Sequence, residues 1–568
     1  MTRKYYIAPT LFLSCLFGLS LSAKAQTTPA TVKDTTRNAV TEEVEVVRAY
    51  KPILADAVKI RRSPNLNDTH PFNPKVTYDL LDKRLELNSG IRELEAQKLA
   101  KEREDQLQNN FAKIALGNLG TSLGELNLAT GKDEALQAGF NFNHLAMSGS
   151  LNRQKFSQQT LSGYGRSISD NLVMEGKLAY HRFGTYFYGN DTQGSFLNPD
   201  PAKQTFNTIS GEGVIFNRVD ADDENSFTYG AKLGASLFKN AFSAKENDIN
   251  LSAGIGKNLN KFKVGANGIV DFTSSKDSAY SFNNHLFKLN PYLQYNTDLF
   301  RITAGINYVN EFGFNQRIHI FPSASLDFML IKNYLTIFGS FGGDVNKNTI
   351  EGFANENPFL NQNIGLRNTV DKFDAAGGIR GTFAANIGFK AMISYQTLSD
   401  YAYFVNNIDH PQKFDINYFT GNMNVLGFTG ELNINFTDAF NLDSKLSLKQ
   451  YDNQAEQYAW LHPALVLTSN ASFKIADKVK LEGDILFQGD SKAKILSYGS
   501  SVPPIPTPVI TVKNVKAFAD ISIGAEYQYN KQISAFIKVN NILGNQYYKY
   551  PYYPNYGFNV LGGFSYGF

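Results

Sequence analysis

The stretch Phe227-Thr-Tyr-Gly-Ala-Lys-Leu-Gly-Ala-Ser-Leu237 alternates. Phe227, Tyr229, Ala231, Leu233, Ala235 and Leu237 fall on one side, and Thr228, Gly230, Lys232, Gly234 and Ser236 on the other. An extended chain turns successive side chains to opposite faces, so this is a strand with one apolar and one polar face. The same period recurs. Val479, Leu481, Ile485 and Phe487 alternate with Lys480, Glu482, Asp484 and Gln488, and Leu426, Phe428, Leu432, Ile434 and Phe436 with Thr429, Glu431, Asn433 and Asn435. From Phe111 to Phe568 the period stays at two.

The connections sharpen the reading. Every second one is very short: Ser169-Asp170, Asn260-Lys261, Thr297-Asp298, Lys332-Asn333, Ala385-Asn386, 437–439, Asp477-Lys478 and 530–532. The others are mostly long, at about 183–204, 274–285, 345–372, 397–424, 451–465, 489–514 and 545–557. This spacing predicts an all-β chain: a transmembrane antiparallel β-barrel of about 22 strands over 111–568, with short periplasmic turns and long extracellular loops. In hydrocarbon every backbone N–H and C=O must be bonded within the protein, and a sheet achieves this by closing on itself. The last strand agrees. Phe558, Val560, Phe564, Tyr566 and Phe568 share one face, and the terminal Phe is the ending expected of an outer-membrane barrel.

Composition fits a sheet that faces lipid. Of 568 residues 19% are charged, while 44 Phe, 30 Tyr and 45 Gly stand against one Trp and one Cys. Apolar runs of about 20 residues, needed for helical spans, are missing apart from the start. There Arg3 and Lys4, the apolar stretch Tyr5–Leu21 and Ala23-Lys24-Ala25 read as a secretory signal peptide over 1–25. Its removal takes three cations from the 55 basic residues and leaves them equal to the 52 acidic ones, so no nucleic-acid partner is expected. It also removes Cys15, and with it disulfide and thiolate chemistry. Residues 26–110 form an N-terminal periplasmic segment, with a narrowly amphipathic helix expected over 90–108.

The C-terminal stretch Phe536-Ile-Lys-Val-Asn-Asn-Ile-Leu-Gly-Asn-Gln-Tyr-Tyr548, the Tyr/Pro loop at 550–554 and the last strand resemble the ending of TonB-dependent receptors. The segment Tyr458-Ala-Trp-Leu-His-Pro-Ala464 is similar to a barrel element of the same family. The resemblance covers 111–568 in architecture and short stretches in motif. It implies a 22-strand barrel in the outer membrane of a Gram-negative bacterium that mediates uptake or passage of a solute. The departure is at the N-terminus, where 26–110 is too short for a full plug, so the plug is expected to be reduced or missing. Glu42, Glu43, Val44, Glu45, Val46 and Val47 resemble the box that pairs with TonB as an added strand. As an ordinary sequence feature, the same six residues read as a short strand or a rim segment.

No catalytic function, cofactor or metal is expected. The seven histidines show no ligand spacing, and no phosphate loop, nucleophile elbow or zinc motif occurs. Acid pairs such as Glu482 and Asp484 read as solvated lumen charges. Tyr186, Tyr188, Tyr548, Tyr550, Tyr552 and Tyr553 offer stacking faces for a ligand in the outer loops, or else belong to aromatic girdles at the membrane interfaces, where Trp460 is also expected as an anchor. Besides lipid and TonB, a lipoprotein or other envelope-complex subunit is a partner to consider. The alternative to transport is then a structural or accessory barrel in an outer-membrane assembly or secretion complex.

Overall fold

The computed structural model describes residues 109–568 apart from 132–134, 191–195, 220–224, 385, 437–438, 477 and 499–507. The signal peptide, the 42–47 patch and the 90–108 helix lie outside the described residues. Twenty-two strands form one antiparallel sheet in which each pairs with its sequence neighbours in the sheet. The first strand, Phe111–Gly117, pairs with the last, Asn559–Gly567, so the sheet closes. Phe111 sits opposite Gly567 and Ile114 opposite Phe564, and Asn110 and Phe568 exchange backbone bonds at the rim (3.1 and 3.0 Å).

The alternation seen in the sequence becomes two faces. Phe227, Tyr229, Leu233 and Leu237 are exposed on the outside, as are Ile249, Leu251 and Ile255 on the next strand. An exterior built this way meets lipid, and the barrel is of the outer-membrane type. The inner face carries ion pairs: Lys232 with Glu212 (2.6 Å), Lys288 with Asp344 (2.7 Å), Lys480 with Glu482 (2.6 Å) and Lys538 with Asp484 (3.3 Å). The short rim holds the expected turns, such as 260–261 and 332–334. Asn260 and Asn333 take φ of 57° and 66°, a left-handed conformation that asparagine tolerates better than most side chains.

The opposite rim departs from expectation in its first half. Strands Phe262–Lys276 and Ser281–Asn296 run through most of the expected loop at 274–285 and leave only 277–280 between them. Polar residues continue the ladder there because the strands project beyond the thickness that about 9–11 tilted residues cover. The long outer connections cluster later. They contain the short helix Ile350–Glu356 and three hairpins: Ala402–Asn406 with Phe414–Tyr418, Ser491–Tyr498 with Pro508–Val515, and Tyr548–Tyr550 with Tyr553–Pro554. Glycines at 339–343 mark a bend, since the register shifts between Gly342 and Asp344, where a side chain at Gly343 would strike the Phe321 ring.

Candidate functional site: a cap of outer loops

The outer connections do not stand apart in solvent. Phe187 and Tyr188 from one loop, Ile350, Phe353, Phe359 and Leu360 from a second, Phe404, Phe414 and Ile416 from a third, Ala493, Ile495 and Val515 from a fourth, and Tyr550, Tyr552 and Tyr553 from a fifth form one buried cluster. The Phe359 and Tyr553 rings stack at 3.4 Å, and Tyr188 meets Tyr553 edge-on at 5.0 Å. Fully burying such side chains stabilises by about 1.5–3 kcal/mol each, which is enough to fuse loops that the backbone leaves independent.

The inward anchor is the loop at 347–368. Thr349 caps its helix by accepting from Gly352 N (2.9 Å). The barrel wall supplies a second acceptor. The Glu246 carboxylate takes the backbone N–H of Ile350 (2.9 Å) and Glu351 (3.2 Å), together with the Ser275 hydroxyl (2.8 Å). Glu351 reaches the wall in turn and accepts from Thr208 Oγ1 (3.1 Å) and Ser236 Oγ (3.4 Å). Lys347 is bound to Asp271 and Thr273. At the far end of the loop Asn368 donates to Glu311 (2.9 Å), itself held by Arg317 (2.8 Å) and beside His319 (3.0 Å). Arg317 then ties in Asp400 of the next loop (2.9 Å). The segment is therefore fixed against the lumen wall at both ends. Replacing Glu246 by Ala removes three charge-assisted bonds, each worth about 1.5–3 kcal/mol. The helix is expected to detach, and protease cleavage within 350–356 of the assembled barrel measures it.

A second cluster holds Trp460, which is buried with Leu398, Tyr403, Val405, Phe419, Met423 and Val425. Its indole donates to Glu456 Oε2 (3.1 Å). The expected interface anchor is thus a packing residue of the cap, because the 454–464 loop folds over the mouth and takes the ring away from lipid. His462 donates from Nδ1 to Trp460 O (2.6 Å) among Tyr401, Phe419 and Tyr451. Burial there pushes the imidazole down to about 4. A histidine with a lowered value in the folded loop takes up its proton first in the opened loop. The cap therefore keeps this contribution above about pH 6.5 and loses it as pH falls toward 4. Trp460 is the only tryptophan in the chain. Its emission is expected to shift to the red across that window, and to lose the pH dependence in His462→Gln.

Of the six loop tyrosines, Tyr188, Tyr550, Tyr552 and Tyr553 are buried in the cap. Three spend their hydroxyls on backbone carbonyls: Tyr188 on Pro554 (3.1 Å), Tyr550 on Glu356 (2.7 Å) and Tyr553 on Gln412. Tyr548 packs at its margin, and Tyr186 lies half-buried beside Arg153 and Lys155 (5.7 and 5.4 Å from its ring). Part of the aromatic content is used here, while Phe227, Tyr229, Phe262, Phe272, Tyr527 and Tyr566 are among the rings exposed on the outside. Glu246, Glu311, Lys347 and Glu351 were not singled out by sequence. The signals present were the acids Glu246 and Asp248 on one strand face and Thr349 three residues before Gly352, and neither says that a loop turns inward.

No family model matches the chain, and no curated protein does. Solved structures do. The receptor FpvA of P. aeruginosa, in complex with a heterologous pyoverdine and iron, is 11% identical with a TM-score of 0.61, covering 81% of this chain and 71% of that one. The FrpB iron transporter from Neisseria meningitidis gives 9%, 0.60, 82% and 82%, and the ferric-catecholate import receptor Fiu from E. coli K12 gives 10%, 0.59, 81% and 82%. At these identities the likeness establishes the fold, the 22-strand barrel of TonB-dependent receptors.

Proposed function

We propose that this barrel, which shares the architecture of TonB-dependent receptors, takes up a solute across the outer membrane, with the loop cap as the element that selects and admits it. The observation that carries the reading is the inward loop: a helix held against the lumen wall by Glu246 and covered by apolar residues from four other loops, three of which supply aromatic rings. A barrel serving only as scaffold has no need of such a fixture. The buried tyrosines Tyr188, Tyr550, Tyr552 and Tyr553 become ligand contacts when the cap opens, while Tyr186 and Tyr548 keep some exposed surface beforehand. Iron and siderophore names among the structural neighbours make a ferric chelate the first ligand class to test.

The same reading assigns Glu42–Val47 to an energising partner of the TonB type, which would pull on the segment preceding the first strand. Deleting 42–47 is expected to abolish concentrative uptake of radiolabelled iron chelate into cells while the heat-modifiable barrel band persists on gels. Unchanged uptake in that deletion would reject an energised mechanism. Co-purification of a stoichiometric envelope subunit, with no uptake by the intact chain, would instead favour the accessory-barrel reading.

A further inference from the structure

Over six consecutive strands the outer face of the barrel carries cations and no acid. The inside is identified by the loop that touches it: Thr208, Ser236, Glu246 and Ser275 face the helix at 350–356 or its ligand. Residues of the opposite parity on those strands face out. On six consecutive strands, Lys155–Ile168, Leu172–Tyr186, Lys203–Asn217, Phe227–Asn240, Lys245–Leu259 and Phe262–Lys276, no outward position carries an acid. The acids of these strands, Glu175, Glu212, Glu246, Asp248 and Asp271, all take the inward parity. Outward cations are present, and all but Lys257 sit at the loop end: Lys155, Arg182, Lys203, Lys239, Lys245 and Lys276.

Three of them form a row. Lys239 stands directly opposite Lys245, and Lys245 directly opposite Lys276. All three are exposed, and none of their ammonium groups has a hydrogen-bonded or ion-paired partner among the described residues. Like charges placed opposite each other across strands destabilise a sheet, whereas the lumen lysines 232, 288 and 347 each have a carboxylate. Just below the row, toward the membrane, lie the exposed apolar side chains Leu237, Ile249 and Phe272. A cationic row at the top edge of a lipid-facing apolar belt matches the level of lipid headgroups, and its missing counter-charge is an anion that the lipid can supply.

We propose that Lys239, Lys245 and Lys276 form a binding site for the phosphate groups of an outer-leaflet lipid, whose acyl chains lie along Leu237, Ile249 and Phe272. Arg182, which donates to Gln159 (2.8 Å), extends the site along the rim. The ligand is a phosphorylated lipid, and free phosphate lacks the chains that the apolar belt contacts. The proposal is independent of what the lumen carries.

The test uses the purified full chain in nanodiscs of phosphatidylcholine doped with phosphatidic acid, with retained lipid counted by native mass spectrometry after transfer to detergent. The intact protein is expected to retain phosphatidic acid selectively. Each lysine near a charged headgroup contributes about fivefold, so the triple variant Lys239→Gln, Lys245→Gln, Lys276→Gln is expected to lose roughly a hundredfold. The triple Lys→Arg variant should keep the lipid, and Lys257→Gln, whose lysine is at the other end and bound to Asn225 O, should be unaffected. Heat-modifiable gel mobility verifies that each variant is assembled. Undiminished retention in the triple Gln variant, equal retention of phosphatidylcholine, equal loss in Lys257→Gln, or displacement of the lipid by equimolar inorganic phosphate would each overturn the proposal.

Discussion

Deleting residues 348–367 is expected to raise the ion conductance of the barrel in a planar bilayer severalfold. The geometry makes the deletion clean. Asn346 and Thr369 are direct partners across adjacent strands, so Lys347 and Asn368 remain as a two-residue connection of the length common in hairpins. What leaves is the helix at 350–356, the Glu351 bonds to Thr208 and Ser236, and the rings of Phe353 and Phe359 that fill the centre of the cap. Glu246 then returns to water, since its backbone partners are gone. A conductance equal to that of the full chain would mean that the inward loop does not limit the path, and the cap would lose its assigned part in admission.

The second large effect concerns closure. Gly563 on the last strand lies across from Ala115 on the first. A Cβ there would overlap the Ile114 carbonyl oxygen and stand 2.6 Å from Ala115 Cβ. The obstacle is backbone, which cannot rotate aside as a side chain does. Gly563→Val is therefore expected to cost at least about 3 kcal/mol, the upper end of overpacking penalties, and to fall on the one seam where the sheet closes. An open seam leaves two unpaired strand edges in hydrocarbon. The heat-modifiable folded band should disappear and the protein should be degraded in cells. Gly213→Val is the control, because a Cβ there meets nothing within 4 Å. Normal assembly of Gly563→Val would mean that the first and last strands are not paired as described.

The barrel was legible because lipid imposes a repeating rule. Each crossing must alternate and each N–H must find a partner on the neighbouring strand, so the pattern of Phe227–Leu237 or Phe558–Phe568 carries its own interpretation. Turns such as Asn260-Lys261 and Lys332-Asn333 were legible for a related reason, since two or three residues can only reverse the chain. The outer loops obey no such repetition. Nothing local in 183–204 or 545–557 says that Tyr188 and Tyr553 will meet at 5.0 Å, because they lie more than 350 residues apart. Trp460 was misplaced on the same account: an aromatic residue near a strand end suits a girdle equally well until the fold of its loop is known.

The chain's periodicity, turn spacing and aromatic ending thus determined a closed membrane barrel with a polar interior, since both facts are set residue by residue by the solvent on each side. The inward fold of 347–368, the fusion of five loops over the mouth and the row of outward lysines were decided by the tertiary structure. Those features depend on which strands lie next to which and in what register, and that pairing exists only once the sheet has closed.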